Sequence, residues 1–147
     1  MKTTILYLML LAFCQTAGAQ SHTCYSKEVD YKSAQHLFNL QEKYDVSASK
    51  AQYITPQQPY EGHIILEPGD EAVVCLITEK EADQVTITIT KPDGQPVKDL
   101  KTEQPEHNAG IAYFTAKVAG TYIITCTVQR NSGFDSCAAV LSGKARQ

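Results

Sequence analysis

Cysteines have the widest choice of chemistry in this sequence, since a thiolate can be a nucleophile, a metal ligand or half of a disulfide. There are five of them: Cys14, Cys24, Cys75, Cys126 and Cys137. No two have the C-x-x-C spacing of zinc sites and redox motifs. Cys14 lies in an N-terminal apolar segment that we interpret as a cleaved signal. The even number that remains predicts disulfides in an exported chain.

The four remaining cysteines can pair in three ways. If the last two strands form a hairpin, Cys126 and Cys137 lie opposite each other, within disulfide reach. Cys24 would then pair with Cys75. The competing arrangement links Cys75 to Cys126 across two sheets and closes a longer loop. The strand pattern favours the hairpin pairing and leaves the other open.

Histidines and acidic residues show no pattern of a catalytic or metal site. The histidines are His22, His36, His63 and His107. They lack the H-x-H or H-E-x-x-H spacing of metal ligands. No G-x-S-x-G motif marks a nucleophile, and paired acids such as Asp70 and Glu71 fall in predicted turns, where carboxylates are normally solvated. We therefore expect no enzyme activity, no metal and no cofactor.

Tyrosines offer another chemistry, because their rings can stack on a sugar or pack against a partner while the hydroxyl stays in water. We predict an interaction surface made of Tyr31, Tyr44, Tyr53, Tyr60 and His107. The histidine belongs to a polar segment, residues 101–108, that we predict to be a surface loop, and long loops often carry binding function. Ordinary packing of the rings in core and rim is the alternative.

The N-terminus and the charge indicate the compartment. Lys2, an apolar run over residues 5–13 and small residues at 17–19 predict a signal peptide of residues 1–19. The apolar run is shorter than the roughly 20 residues that a membrane-spanning helix needs. Lipidation of Cys14 is the less favoured alternative, because bulky Phe13 precedes it. A net charge of −3, without a cluster of Lys and Arg, argues against nucleic-acid binding.

The clearest predicted strands lie next to two glycines, Gly94 and Gly120. From Val85 to Thr90 an aliphatic residue alternates with threonine, which places the apolar side chains on one face, as in a half-buried strand. Pro92 and Gly94 then supply the fixed φ and the tolerance of positive φ that a turn needs. A similar alternation resumes after Gly120. The sequence therefore predicts strands on either side of tight turns.

Further segments extend this pattern along the chain. Strands are predicted at residues 62–66, 71–78, 85–90, 95–100, 110–116, 121–130 and 136–142, and turns at 67–70, 79–83 and 131–135. The apolar run within 71–78 indicates burial on both faces. Charged residues in 95–100 indicate an edge strand. Seven or eight such strands predict an all-β protein, an antiparallel β-sandwich of the jelly-roll or immunoglobulin-like kind.

The N-terminal arm and the end of the chain are less regular. Residues 21–30 fit an edge strand or an arm held by Cys24. Residues 31–44 fit a short helix with Ser33 as N-cap, or a loop, and 45–59 an irregular connection. Residues 143–147 are predicted to be a loose tail. The domain division is thus an arm over 20–59, a sandwich core over 60–142 and a tail.

Several turn and strand motifs resemble those of known β-sandwich modules. They are Glu67-Pro68-Gly69-Asp70, Pro92-Asp93-Gly94, Phe114-Thr115-Ala116 and Ala119-Gly120-Thr121-Tyr122. Over residues 61–142 the chain resembles the bacterial pre-peptidase C-terminal module, the GOLD domain and PKD-type immunoglobulin-like modules. The resemblance implies a non-catalytic sandwich that binds, spaces or assists secretion. Cys126 lies six residues after Gly120 rather than five, so no disulfide pairing is taken from these families.

Together these features predict an exported, non-catalytic interaction module, periplasmic or secreted from a Gram-negative bacterium. Its partner is expected to be a protein or a glycan of the cell envelope. The alternative is a small secreted enzyme inhibitor or immunity protein that acts through an exposed loop such as residues 101–108. The two hypotheses differ in whether the partner is a single enzyme.

Overall fold

A computed structural model describes residues 23–79, 84–130 and 135–147. Within them the chain forms one helix and nine strands: α1 (Lys27–Leu40), β1 (Tyr44–Ala48), β2 (Gln52–Ile54), β3 (Tyr60–Leu66), β4 (Glu71–Thr78), β5 (Gln84–Thr90), β6 (Lys101–Glu106), β7 (Ala109–Thr115), β8 (Gly120–Gln129) and β9 (Ser136–Ala145). The predicted signal peptide lies outside the described residues, as do most of the predicted turns at 79–83 and 131–135.

The strands form two antiparallel sheets, so the predicted all-β sandwich is confirmed. The larger sheet has the order β1-β9-β4-β7-β6, with β2 also paired to β9 beside β1. The smaller sheet has the order β3-β8-β5. Helix α1 packs on the outer face of the larger sheet, over β1, β9 and β4. The molecule therefore has three layers, helix, sheet and sheet.

Strand β4 shows why these layers form. Its alternate residues Val74 and Leu76 point into the seam between the sheets. Val73, Cys75 and Ile77 point the other way, toward the helix. All five side chains are fully buried. The predicted burial on both faces is confirmed, and it requires a covering layer on each side.

The seam between the sheets is filled by aromatic and aliphatic side chains. Tyr122 on β8 is 1% exposed, and its ring centroid lies 5.6 Å from that of Phe114 on β7. Its hydroxyl donates to the Val118 carbonyl at 2.9 Å. A buried phenol without such a partner would be costly, so this local bond lets a tyrosine occupy the core.

Both predicted proline–glycine turns are present. Gly94 has φ +82° and donates its N–H to the Lys91 carbonyl at 2.9 Å. Gly69 has φ +95°, and the Asp70 N–H donates to the Glu67 carbonyl at 3.0 Å. Positive φ is readily adopted by glycine and strained for most other residues. These glycines therefore fix the places where the chain reverses.

The described part of the arm, residues 23–59, is more regular than predicted. Helix α1 begins seven residues earlier than predicted, because Ser26 rather than Ser33 is the N-cap and accepts the Val29 N–H. The predicted irregular connection at 45–59 instead contributes β1 and β2, which both pair with β9. For residues 21–30 an edge strand or an arm held by Cys24 was predicted; residues 23–25 are held by the Cys24 disulfide, whereas residues 27–30 belong to α1.

The end of the chain is also a strand rather than a tail. Strand β9 continues to Ala145, and Gly143 pairs with Val46 on β1. A Cβ atom added to Gly143 would lie 2.2 Å from the Asp45 carbonyl oxygen. Only glycine allows the two backbones to approach this closely. A glycine that suggests an unstructured tail in the sequence is thus a packing requirement.

The edge strand of the larger sheet lies six residues beyond its predicted position. Residues 95–100 form no strand and make one isolated bridge, between Pro96 and Thr90. The predicted loop at 101–108 is instead strand β6 followed by a two-residue turn. Its charged residues remain exposed because β6 has a neighbour, β7, on one side only. Polar composition alone does not distinguish such an edge from a loop.

The disulfide connects Cys24 to Cys137, with Cα atoms 5.9 Å apart. Cys75 and Cys126 are free and buried. The favoured hairpin pairing was wrong because β8 and β9 belong to different sheets. The competing bond from Cys75 to Cys126 is absent because Cys75 faces the helix while Cys126 faces the seam. Only two of the four predicted disulfide cysteines are therefore bonded.

We predict that thiol titration of residues 20–147 under denaturing, non-reducing conditions finds two free thiols. Replacing both bonded cysteines, Cys24→Ala with Cys137→Ala, should lower the free energy of unfolding by about 2–5 kcal/mol, because the bond restricts the unfolded chain. Urea denaturation measures this. Dithiothreitol should destabilise the wild type to a similar extent and leave the double variant unchanged. Four free thiols, or none, would contradict this assignment.

Candidate functional site

The five residues predicted to form an interaction surface do not lie together. Tyr31 is 69% exposed on α1, and Tyr53 is 40% exposed on β2. Tyr44 is only 6% exposed, because its ring packs against the core between α1 and the larger sheet. Tyr60 is half-buried on the opposite sheet, and His107 is exposed in the turn between β6 and β7. A single tyrosine platform is therefore not formed.

Helix α1 instead presents an aromatic stripe on its outer face. We define the stripe as Tyr31, Ala34 and Phe38. Ala34 and Phe38 follow Tyr31 by three and seven residues, so all three lie on one side of the helix. Phe38 is 72% exposed, and Ala34 between the two rings is exposed as well. The opposite side of the helix is buried against the sheet through Val29, His36 and Leu40. Two large rings thus stand in water on an ordered element.

Phe38 was not among the predicted surface residues. Its spacing from Tyr31 is visible in the sequence, but spacing alone does not say which side of a helix faces the core. The sequence also places Leu37 and Leu40 close by, which suggests an apolar face that includes Phe38. The structure assigns the leucines to the sheet side and Phe38 to solvent.

Several contacts fix the helix on the sheet and so fix the stripe. The disulfide of Cys24 lies two residues before the N-cap. Lys32 forms an ion pair with Glu106 on β6. The side-chain amide of Asn108 donates to the Thr78 carbonyl at 3.3 Å and to the Glu28 carboxylate at 3.5 Å. A helix held at several points loses little further freedom when its outer face is covered.

Charge on α1 is balanced. The helix carries Lys27 and Lys32 as well as Glu28 and Asp30, and its last turn carries no basic residue. Lys32 is already engaged by Glu106, and this bond lowers the pKa of the Glu106 carboxyl. Helices that lie on anionic membranes have polar faces rich in Lys and Arg. The surroundings of the stripe lack that signature.

Under the helix lies a buried histidine. His36 is 8% exposed, and its Nε2 atom has no hydrogen-bond partner, nor does the Oγ atom of Ser33 one turn earlier. Burial lowers the pKa of His36. The negative charge of Glu106 raises the pKa of His36 and so opposes this shift, whereas the positive charge of Lys32 lowers the pKa further. The imidazole is thus held in a site that disfavours its charged form.

A shallow groove of about 520 Å³ lies beside the C-terminal end of the helix. The rings of Tyr44 and Tyr113 meet there with centroids 6.3 Å apart. Lys43 is paired with Glu71 at 2.9 Å, and this contact lowers the pKa of the Glu71 carboxyl. Exposed ion pairs of this kind are weak and remain solvated. The groove carries no side chain suited to proton transfer in a buried site.

Nothing in the described parts of the chain is arranged for catalysis by a thiol or a metal. Burial raises the pKa of both Cys75 and Cys126 to about 12, so neither is a thiolate at neutral pH. Across residues 23–79, 84–130 and 135–147 no three His, Cys, Asp or Glu side chains are grouped as metal ligands. No helix in that part of the chain is long and apolar enough to span a membrane.

Comparison with solved structures shows distant similarity. No protein-family model matches the chain, and no curated protein matches it. Among solved structures, the crystal structure of Bacillus licheniformis lipase BlEst2 in its propeptide form is similar, with 16% sequence identity and a TM-score of 0.47. The match covers 69% of this chain and 22% of the lipase chain. A similarity this distant assigns neither fold nor function, and the resemblance to sandwich modules stays a prediction.

We predict that His36 makes the protein less stable at acidic pH. Its pKa is lower in the folded protein than in the unfolded chain, so the unfolded chain binds the proton more readily. This stability is therefore present above about pH 6.5, the unfolded value, and is lost as pH falls from there through the lower pKa of the folded protein. Urea denaturation at several pH values from 8 to 5 measures this loss.

The variant His36→Leu should show a smaller decrease over the same range, because leucine cannot be protonated. The matched control is His63→Leu, whose side chain is exposed on the outer face of the smaller sheet. That control should keep the pH dependence of the wild type. Equal pH dependence in His36→Leu and the wild type would contradict the role assigned to His36.

Proposed function

We propose that this chain is an exported, non-catalytic module that binds a protein partner through the aromatic stripe on α1. The observation that carries the proposal is the exposure of Tyr31 and Phe38, at 69% and 72%, on one side of a helix whose other side is buried. Both rings remain in water although the sandwich has a complete core without them.

Continuity distinguishes the stripe from ordinary exposed apolar residues. Single apolar side chains on a surface are common and need no explanation. Here the helical rise places Tyr31 and Phe38 about 10 Å apart along one face, with Ala34 between them. Contiguous apolar surface of this kind typically marks a contact site. Tyrosine and phenylalanine are also among the residue types enriched at protein interfaces.

A protein fits the stripe better than a glycan or a lipid surface. Sugar sites are usually concave, with polar groups that converge on the ligand, whereas the stripe lies on the convex side of a helix. A membrane surface would call for a polar face rich in basic residues, whereas Glu28 and Asp30 offset the two lysines of the helix. An apolar, gently curved strip suits a complementary groove on a partner protein.

Export is part of the proposal and rests on the N-terminal sequence. Residues 1–19 have the charged, apolar and small-residue regions of a signal peptide. The disulfide between Cys24 and Cys137 agrees with an oxidising compartment, either periplasmic or extracellular. The buried thiols of Cys75 and Cys126 are protected from such an environment by their inaccessibility.

Residues 101–108 lack the shape that the alternative function, an inhibitor acting through an exposed loop, requires. An inhibitory loop must protrude to enter an active site. Residues 101–106 form strand β6, and a two-residue turn connects it to β7. No observation on this segment favours insertion into an enzyme.

The proposal predicts that partner binding depends on the stripe. Immobilised residues 20–147 should capture a protein from native envelope extract or culture medium of the source cells. The double variant Tyr31→Ala with Phe38→Ala should reduce the affinity of the captured protein at least about tenfold, because aromatic anchors commonly contribute more than 1 kcal/mol each. Surface plasmon resonance with the purified partner measures the difference.

A matched control removes exposed apolar side chains elsewhere. Ile65→Ala with Ile123→Ala changes the outer face of the smaller sheet, where both side chains are exposed. This variant should bind like the wild type. Undiminished binding by the Tyr31 and Phe38 variant, or equal loss in the control, would refute the proposal, as would capture of glycan without protein.

A further inference from the structure

Strand β5 is an edge strand whose outer side is only partly covered. It pairs with β8 along its whole length on one side. On the other side, Thr90 forms a bridge with Pro96, and the Val97 N–H donates to the Ile89 carbonyl at 2.8 Å. Among the described residues, the stretch from Gln84 to Thr88 has no strand on that side. The first half of β5 is therefore an open sheet edge.

The hydrogen bond from the Val97 N–H to the Ile89 carbonyl shows which backbone groups of β5 point away from β8. The Ile89 carbonyl points away from β8, since it accepts from Val97. In an antiparallel pair, residues alternate between bonding to the partner strand and pointing away from it. Ile87 and Val85 therefore also direct their N–H and C=O groups outward, whereas Thr86 and Thr88 bond to β8. Two residues thus offer donors and acceptors at the spacing of a β-strand.

This edge lacks the protection that other edges of the fold have. Exposed edges usually carry charges, proline or a bulge that prevent another strand from pairing. Strand β6 carries Lys101, Glu103 and Pro105, and its pairing with β7 has a register shift. Strand β5, QVTITIT, has neither a charge nor a proline. Its sequence instead favours an additional strand.

A groove of about 460 Å³ runs beside the open edge. Val85 and Ile87 form one wall, and Gly110 and Ile111 on β7 contribute to the other. The sheets approach closely here, because a Cβ added to Gly110 would lie 3.2 Å from Val85 Cγ1. A strand added to β5 would direct every second side chain into this groove and the others to solvent beside the threonines.

We propose that this edge binds an extended peptide segment of a partner protein by adding it as a fourth strand next to β5. The segment would alternate apolar and polar residues. Backbone groups at strand spacing select a polypeptide rather than a sugar. Val85 and Ile87 on the groove wall select apolar side chains on the inner face of that segment.

This inference does not rest on the function proposed for α1. The helix covers the outer face of the larger sheet, whereas β5 is an edge of the smaller one. A chain with both surfaces can hold two partners at once. The variant Tyr31→Ala with Phe38→Ala should therefore bind the peptide like the wild type, and failure of either proposal leaves the other standing.

The test uses synthetic peptides and residues 20–147. The probe is acetyl-KTVTVTK-amide, and its control is KTVPVTK, since proline lacks the N–H that an added strand needs. Isothermal titration calorimetry should rank the first peptide at least about tenfold above the proline peptide. NMR should shift the amide signals of Val85 and Ile87 more than those of the outer helix face.

Two variants separate specific pairing from loose adsorption. Val85→Lys places a charge inside the groove and should abolish binding, whereas Thr86→Lys, on the outer face, should keep it.

The proposal is overturned if KTVTVTK fails to bind at millimolar concentration or if KTVPVTK binds equally well. It is also overturned if Val85→Lys binds KTVTVTK like the wild type. Sedimentation that shows a wild-type dimer abolished by Val85→Lys would assign the edge to a second copy instead of a partner peptide.

Discussion

Burial of strand β4 on both faces is the constraint on which the rest of the structure depends. Its apolar side chains point alternately into the seam and toward the helix, and the strand is also flanked by β9 and β7. A strand in this position needs neighbours on two edges and a layer on two faces. The smaller sheet supplies one layer. The short helix, which an ordinary two-sheet sandwich lacks, supplies the other.

The covering helix links this core to the surface proposed for binding. Because Val29 and Leu40 are held against the sheet, the opposite side of the helix is held in a fixed orientation toward solvent. The disulfide of Cys24 and the Lys32–Glu106 ion pair reinforce that orientation. His36 lies inside the same contact. The aromatic stripe is therefore presented by a helix held at several points, and the lowered pKa of His36 predicts that this attachment weakens at acidic pH.

The sheet edges show a second consequence of the layered design. The larger sheet ends in the charged strand β6, which resists further pairing. The smaller sheet has three strands, and its edge strand β5 ends at a partly covered, uncharged margin beside a groove. An unprotected edge exposes a protein to aggregation. The proposed peptide segment would cover this edge when it is bound.

The sequence by itself determined the local elements of this protein. Alternation from Val85 to Thr90, the apolar run of β4 and the glycines at positions 69 and 94 gave the main strands and turns, because side-chain period and backbone freedom are properties of neighbouring residues. Exposure of Phe38 could not be derived in this way, although its spacing from Tyr31 was visible.

The tertiary structure decided which distant segments meet. It made β1 and the end of β9 strands because they pair with each other, and it placed β8 and β9 in different sheets, which directed Cys137 to Cys24. It also buried Tyr44 and left Tyr31 in solvent. The physical reason is that sheet neighbours and covered faces are set by contacts far apart in the chain, which no local pattern encodes.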